Sequence, residues 1–305
     1  MKTYAYYPGC SLETMAASYH VSAVEVAHRL GVSLVEIEDW NCCGAAAYSH
    51  VDELLAQVLC ARNLALAEKE EQLNLVAPCS GCFKNLYFAN DHMLEDADLM
   101  EHMNFALEAD DLTYAGTVTV HHLMDMFVDD IGLDAIREKV IDPLEGLRVA
   151  PYYGCQMTRP RKPGESPMDV EGPMFFEELI GALGATPVDY PYRMRCCGAS
   201  LIATSRQAAL SMLRDLLQNA VDVSADVIAT SCPLCQINLE VYQSEVNREL
   251  GTDFSMPILY FTQLMGLALG VKPKKLGIGR EVVPATAVLA CRQSQQEVAA
   301  ESPSR

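Results

Sequence analysis

Twelve cysteines, at positions 10, 42, 43, 60, 79, 82, 155, 196, 197, 232, 235 and 291, are the residues of this 305-residue chain best suited to chemistry. Thiolates bind soft metals, and at Cys-x-x-Cys spacing they also cycle between dithiol and disulfide. Ten of the twelve form two matching sets. Cys10 is followed by Cys42-Cys43-Gly44 and then by Cys79-Ser80-Gly81-Cys82, and Cys155 by Cys196-Cys197-Gly198 and then by Cys232-Pro233-Leu234-Cys235. The flanking words repeat too, with Tyr6-Tyr7-Pro8-Gly9-Cys10 set against Tyr152-Tyr153-Gly154-Cys155. Corresponding cysteines lie 145 to 154 residues apart, so one unit of about 150 residues has been duplicated.

A Cys-x-x-Cys word alone fits a zinc site or a thiol–disulfide motif equally well. The adjacent pair narrows the choice. Neighbouring residues of an extended segment point to opposite sides, so Cys42-Cys43 and Cys196-Cys197 do not readily grip one tetrahedral ion. They can reach different metals of a larger group. Five thiolates per half also exceed the four that an ordinary iron–sulfur cube takes. Thiolate-only ligation suits iron–sulfur, zinc or copper(I), and the spacing favours a multinuclear cluster without fixing its geometry. Gly44 and Gly198 would let the backbone turn tightly beside an inorganic core and are read as cofactor-binding. Cys60 falls inside an amphipathic helix and reads as buried packing. Cys291, in the tail, reads as an incidental thiol.

The elements that must position these thiols recur in both halves. Tyr4–Tyr7, Ser33–Ile37 and Leu73–Ala77 read as strands, matched by Val149–Tyr153, Thr186–Tyr190 and Asp226–Thr230. Val51, Leu54, Leu55, Val58 and Leu59 recur at helical spacing, as do Ala209, Leu213, Leu216, Leu217 and Ala220. Alternating strands and helices predict an α/β fold with a small parallel sheet flanked by helices in each half, and cysteines at the carboxyl ends of the strands. Ser49 with Asp52, and Thr204 with Gln207, have capping-pair spacing and predict helix N-termini close to the thiolates. The expected units are 1–145 and 146–280, with 281–305 a flexible tail.

The net charge of −19 disfavours a nucleic-acid partner, and the composition, 50% apolar and 21% charged, excludes global disorder. No apolar run reaches the roughly 18 residues that membrane insertion needs; the nearest, Ile258–Val271, reads as a buried or amphipathic helix. Pro8 interrupts the start before a signal-peptide core forms, so a cytoplasmic chain with reduced thiols is expected. No G-x-G-x-x-G or phosphate loop supports a nucleotide or flavin on this chain.

Two copies of Cys-x(31–40)-Cys-Cys-Gly-x(33–34)-Cys-x-x-Cys resemble the CCG domains of the heterodisulfide reductase B-type subunits, from Tyr4 to about Gly270. The resemblance implies two noncubane [4Fe-4S] clusters. One would be held by Cys10, Cys42, Cys43, Cys79 and Cys82, the other by Cys155, Cys196, Cys197, Cys232 and Cys235. It further implies that a small disulfide bound between them is reduced to two thiols, or formed from them, with one electron from each cluster. The implied partners are a small C-type ferredoxin-like subunit and a flavin-containing A-type subunit. Related CCG modules imply an alternative, an electron-relay subunit of another oxidoreductase complex without disulfide turnover. A zinc-binding interaction module is a second alternative.

The charge pattern separates the halves. Arg159, Arg161 and Lys162 follow Cys155, and Arg193 and Arg195 precede Cys196, whereas Glu36, Glu38 and Asp39 precede Cys42. Arg159, Arg193 and Arg195 are therefore candidates to orient an anionic substrate, with exposed loop charges as the competing reading. His121 and His122 sit at an expected strand-to-helix boundary and read as packed or capping. His50 is unassigned. Met93, Met100 and Met103 follow helical spacing and read as core. Gln156 follows Cys155, where relatives of the implied family can carry histidine, so no proton donor is assigned there.

Overall fold

Short β-branched and apolar runs alternate with helical stretches along both halves, and a computed structural model shows what they build. The structure describes residues 2–45, 48, 51–70, 73–159, 172–286 and 288–290. The first half runs β1 (Lys2–Tyr6), α1 (Ala17–Arg29), β2 (Val32–Glu36), α2 (Glu53–Lys69), β3 (Asn74–Ala77), α3 (Ser80–Glu95), α4 (Ala97–Leu107) and β4 (Thr119–His122). It continues through α5 (Leu123–Asp125) and a π-helical stretch (Met126–Gly132) into α6 (Leu133–Lys139). The second half runs β5 (Arg148–Tyr152), α7 (Phe175–Ala182), β6 (Thr186–Pro187), α8 (Arg206–Asp222), β7 (Val227–Thr230), α9 (Pro233–Val241), α10 (Gln243–Leu250), β8 (Ile258–Tyr260) and α11 (Phe261–Ala268).

Each half forms one four-stranded parallel sheet, ordered β2-β1-β3-β4 and β6-β5-β7-β8. The chain leaves the first strand of each sheet for one neighbour and then crosses to the other side. The order therefore reverses between β1 and β3 and between β5 and β7, and a crevice opens beyond the carboxyl ends there. The loops carrying the cysteines all leave from those ends.

The expected α/β duplication is what the chain adopts, with local differences. A fourth strand joins each sheet. In the second half it takes Ile258–Tyr260 out of the stretch read as one helix, because a three-residue apolar run carries too little periodicity to separate strand from helix. The strand expected over Thr186–Tyr190 is only Thr186–Pro187, at the sheet edge where a proline is tolerated, with Val188 N still donating to Val149 O. Helix α2 buries Ala56, Cys60, Ala61, Leu64 and Ala65. Val51 and Leu54, expected on its core face, are 85% and 58% exposed. The second-half counterparts Leu213, Leu216 and Leu217 are buried as expected. Capping also differs: Asp52 itself caps α2 through Leu55 N, and Ser205 rather than Thr204 precedes α8. Ser49 lies outside the described residues.

The two sheets share their hydrophobic packing, since both apolar clusters contain residues of each half. Helix α1 of the first half packs against α11 of the second, and α7 of the second against α6 of the first. At the centre, the Phe261 ring meets Tyr19, Phe127 and Phe176 edge-on, with centroids 6.0 to 6.2 Å away. Of the stretch read as a tail, the described part packs back: Val282 N and Val283 N donate to Glu240, and Ala285 and Val288 are buried. Cys291 and the rest to 305 lie outside the described residues. Among the described residues, no helix is long and apolar enough to cross a membrane.

Phe261 joins elements of both halves, so Phe261→Ala should lower the unfolding free energy by about 3–5 kcal/mol. Anaerobic urea unfolding followed by circular dichroism should show one transition, moved as a whole to lower urea. Two resolved transitions with only one displaced would contradict a shared core.

Candidate metal centre

Each thiol occupies a place set by its strand. Cys10 follows β1, Cys42 and Cys43 follow β2, and Cys79 caps α3 at the end of β3, with Cys82 in that helix's first turn. Cys155 follows β5, Cys196 and Cys197 follow β6, and Cys232 caps α9 with Cys235 one turn in. The helix N-termini at the thiols are thus those of α3 and α9, after the Cys-x-x-Cys words. The helices after the Cys-Cys-Gly words, expected to approach the thiolates, start about ten residues later, at Glu53 and Arg206.

The two groups have nearly the same internal geometry. Cys43 Sγ lies 3.2 Å from Cys82 Sγ, and Cys197 Sγ lies 3.6 Å from Cys235 Sγ. Cys10 Sγ stands 3.9 Å from Cys42 Sγ. The N–H groups of Gly44 and Gly198 point at the Cys42 and Cys196 sulfurs, at 3.4 and 3.3 Å. That N–H is how these glycines touch the thiols, because a Cβ there would instead face Ala56 of α2 or Ala209 of α8. Two further pairs hold the loops. Tyr7 and Tyr152 donate their hydroxyls to the carbonyls of Asn41 and Arg195, just before the paired cysteines. Asn85 and Asn238 donate to the carbonyls of Cys43 and Cys197. The asparagines were legible as a repeated Cys-x-x-Asn word, and the tyrosines lie in the repeated word before Cys10 and Cys155.

Crowding sets the charge distribution. Hydrogen bonds from Cys10, Cys43 and the Gly44 N–H hold the Cys42 thiol down to about 2. Cys155, Cys197 and the Gly198 N–H do the same for Cys196, also to about 2, with the Arg159 charge assisting. The partners move the other way. Cys10 and Cys155 are raised, first by bonding to those thiolates and then by burial. The two groups also influence one another across the halves: the neighbouring Cys232 and burial raise Cys79, and Cys232 is lowered by Cys235, Cys79 and the amides opening α9.

The eleven described cysteines are free of disulfides. Their thiols converge in pairs, and among the described residues no three Cys, His, Asp or Glu side chains are gathered as a one-ion site. Space beside the sulfurs is kept by Gly9 and Gly154, which sequence reasoning passed over although both stand in the repeated word. Both have left-handed φ, +73° and +71°, and a Cβ would come within 3.0 Å of Cys82 Sγ or 3.2 Å of Cys235 Sγ. Five soft donors per half, few of which can be thiolates together without a compensating cation, fit an iron–sulfur group.

Other candidates separate from the thiols to different degrees. Arg159 is exposed and acts on Cys196. Arg195 is exposed, with its guanidinium 3.7 Å from the Tyr192 ring centroid. Arg193 is tied to the buried Glu177 at 3.4 Å. Arg161, Lys162 and His50 lie outside the described residues. Around the first group, Glu13, Glu36, Glu38 and Asp39 line an open cleft with Cys10 and Cys42. His122 is buried and caps α5 through Met124 N, with Nε2 3.4 Å from Ser80 Oγ. Cys60 is buried, and its thiol donates to Cys43 O at 3.4 Å. Met93 and Met103 are buried in one apolar cluster, and Met100 packs against that cluster. Gln156 Oε1 reaches the first-half Gly81, 3.1 Å from where a Cβ would stand.

Gly9→Ala should therefore lower the metal content of anaerobically purified protein to about half, through the steric conflict at Cys82 and a left-handed penalty of about 1–2 kcal/mol. Gly31→Ala has the same backbone strain at φ +79° with no atom within 4 Å, and should retain full content. Equal metal in both variants would show that Gly9 does not shape the site.

The CCG cysteine-rich domain family matches residues 4–87 and 149–240, covering all ten repeated cysteines. The chain is 35% identical over 285 residues to the 8-methylmenaquinol:fumarate reductase membrane anchor subunit of Wolinella succinogenes, covering 93% of this chain and 98% of that one. It is 33% identical over 258 residues to the B-type subunit of ferredoxin:CoB-CoM heterodisulfide reductase from Methanosarcina mazei, covering 84% and 85%. A crystal structure of a hypothetical protein from Helicobacter pylori shares the fold, with a TM-score of 0.74 at 15% identity over 93% of this chain, which spans about half (52%) of that protein. The duplicated thiol geometry and these similarities place the chain in the CCG cysteine-rich family, in the two-repeat form of the heterodisulfide reductase B-type subunits.

Proposed function

We propose that the chain is the disulfide-converting subunit of a heterodisulfide-reductase-like oxidoreductase complex. The observation that carries this reading is the meeting of the two Cys-x-x-Cys turns at one seam, where the Tyr19 hydroxyl stands 3.1 Å from the carbonyls of both Pro78 and Ser231, the residues just before Cys79 and Cys232. A disulfide seated there has both groups within reach, one for each sulfur.

The ten repeated cysteines are assigned as ligands of two [4Fe-4S] clusters of noncubane type, in units 1–145 and 146–280. Such clusters, when bound, supply single electrons and thiophilic iron. The chain's own residues do the rest. Buried Cys79, Cys82, Cys232 and Cys235 keep the seam dry, and the amides of Gly44 and Gly198 offset thiolate charge. Arg159 and Arg195, exposed on the rim of the second group, draw in and orient an anionic disulfide, while the acidic rim of the first group leaves one favoured direction. In the reductive direction one S–S bond breaks, two electrons and two protons enter, and two thiols leave. The protons come from solvent. The electrons come from partner subunits, assigned as a C-type ferredoxin-like protein and an A-type flavoprotein, because the sequence has no nucleotide- or flavin-binding motif.

A second reading is favoured by the 35% identity to the fumarate reductase subunit: an electron relay with no disulfide turnover. Metal and acid-labile sulfide analysis of anaerobic protein, with its visible spectrum, comes first. About eight irons per chain and absorbance near 400 nm are expected. Zinc in a colourless sample that iron–sulfur reconstitution does not change would replace both redox readings with a zinc-binding module. With reduced viologen and the CoB–CoM heterodisulfide as probe, two viologens should be oxidised per disulfide and two thiols released. Reduction of the protein without thiol release would leave only the relay.

Charge reversal at Arg195 tests the rim. Arg195→Glu should raise the apparent KM for an anionic disulfide several-fold, with kcat changed little. An unchanged KM would remove Arg195 from substrate orientation.

A further inference from the structure

We propose that the Tyr19 hydroxyl is a positioning group shared by both thiol groups, one hydrogen-bond donor that sets the spacing between the two Cys-x-x-Cys turns. The Tyr19 side chain comes from α1 of the first half and is fully buried at the junction of the halves. Its ring lies flat on Tyr260 of the second half, with centroids 4.2 Å apart and planes 6° from parallel. The hydroxyl oxygen stands 3.1 Å from the carbonyl of Pro78 and 3.1 Å from the carbonyl of Ser231. A phenol has one hydrogen to give, so this is a three-centre bond divided evenly between acceptors on opposite halves.

Those carbonyls belong to the residues immediately before Cys79 and Cys232, the N-cap residues of α3 and α9, one from each thiol group. Stacking fixes the ring plane, and an equal pull from both carbonyls centres the hydroxyl between the turns. Nothing in the repeat duplicates this device among the described residues: α7, which takes the place of α1 in the second half, carries buried Phe175 and Phe176. The spacing matters because a disulfide is only about 2 Å from sulfur to sulfur. Two groups that act on it together must keep a fixed separation. The donor also draws electron density from the backbone beside one ligand of each group, which favours the reduced state of both.

The functional consequence rests on the iron–sulfur reading, but the clamp is testable without it. Tyr19→Phe keeps the ring and its stack while removing the donor, and Tyr4→Phe, whose hydroxyl binds Asp130 instead, is the control. In the loaded full chain, Tyr19→Phe should keep its iron and move the midpoint potentials of both centres negative together. In chain treated with chelator and then with diamide as oxidant, peptide mass spectrometry should follow the Cys79–Cys232 disulfide relative to Cys43–Cys82. That ratio should fall about three- to tenfold in Tyr19→Phe, the equilibrium weight of one hydrogen bond, and stay unchanged in Tyr4→Phe. Wild-type chain without iron would refute the cluster reading and leave this second measurement to decide the clamp. An unchanged ratio, or a potential shift confined to one centre, would overturn the proposal.

Discussion

Repulsion among crowded thiolates is the constraint on which the rest of this structure depends. Ten sulfurs gather at the carboxyl ends of two sheets, most of them buried, and each ionised neighbour makes the next ionisation harder. The fold answers with donors. Gly44 and Gly198 turn their amides toward the Cys42 and Cys196 sulfurs, and the first amides of α9 face Cys232. Thiols that cannot ionise become donors to those that do. What such local donors cannot offset, a bound cationic core can.

Duplication supplies the second organising feature. Two copies of one sheet meet through helices that cross to the opposite half, α1 onto α11 and α7 onto α6, so the seam is part of the hydrophobic core. This joins the thiol groups instead of leaving two independent centres. It also leaves room for the copies to diverge at their rims. Acidic side chains surround the first group, Arg159 and Arg195 flank the second, and Gln156 reaches across to Gly81.

Much of the fold was legible because cysteine spacing and short apolar strands are local signals. The strands leading to the thiols fall within a residue or two of their expected limits, except that β6 ends at Pro187, short of the expected Tyr190. The reading failed where tertiary context outweighs local pattern. Val51 and Leu54 have helical spacing yet face solvent, since α2 packs through its alanines and Cys60. The fourth strand of the first half was anticipated at the strand-to-helix boundary of His121 and His122, whereas that of the second half, three residues long, was too short to announce itself. Gly9 and Gly154 stood in plain sight within the repeated word, but their use appears only when Cys82 and Cys235, more than 70 residues on, arrive beside them.

The sequence by itself determined the duplication, the parallel α/β architecture and the ten thiols, because these follow from residue type and spacing along the chain. Only the tertiary structure decided that the two Cys-x-x-Cys turns lie side by side, which of the rim arginines is held by Glu177, and that one tyrosine hydroxyl is divided between Pro78 and Ser231. Those are contacts between residues up to 212 positions apart. No local pattern encodes them, since they exist only once packing of the two halves has fixed which surfaces meet.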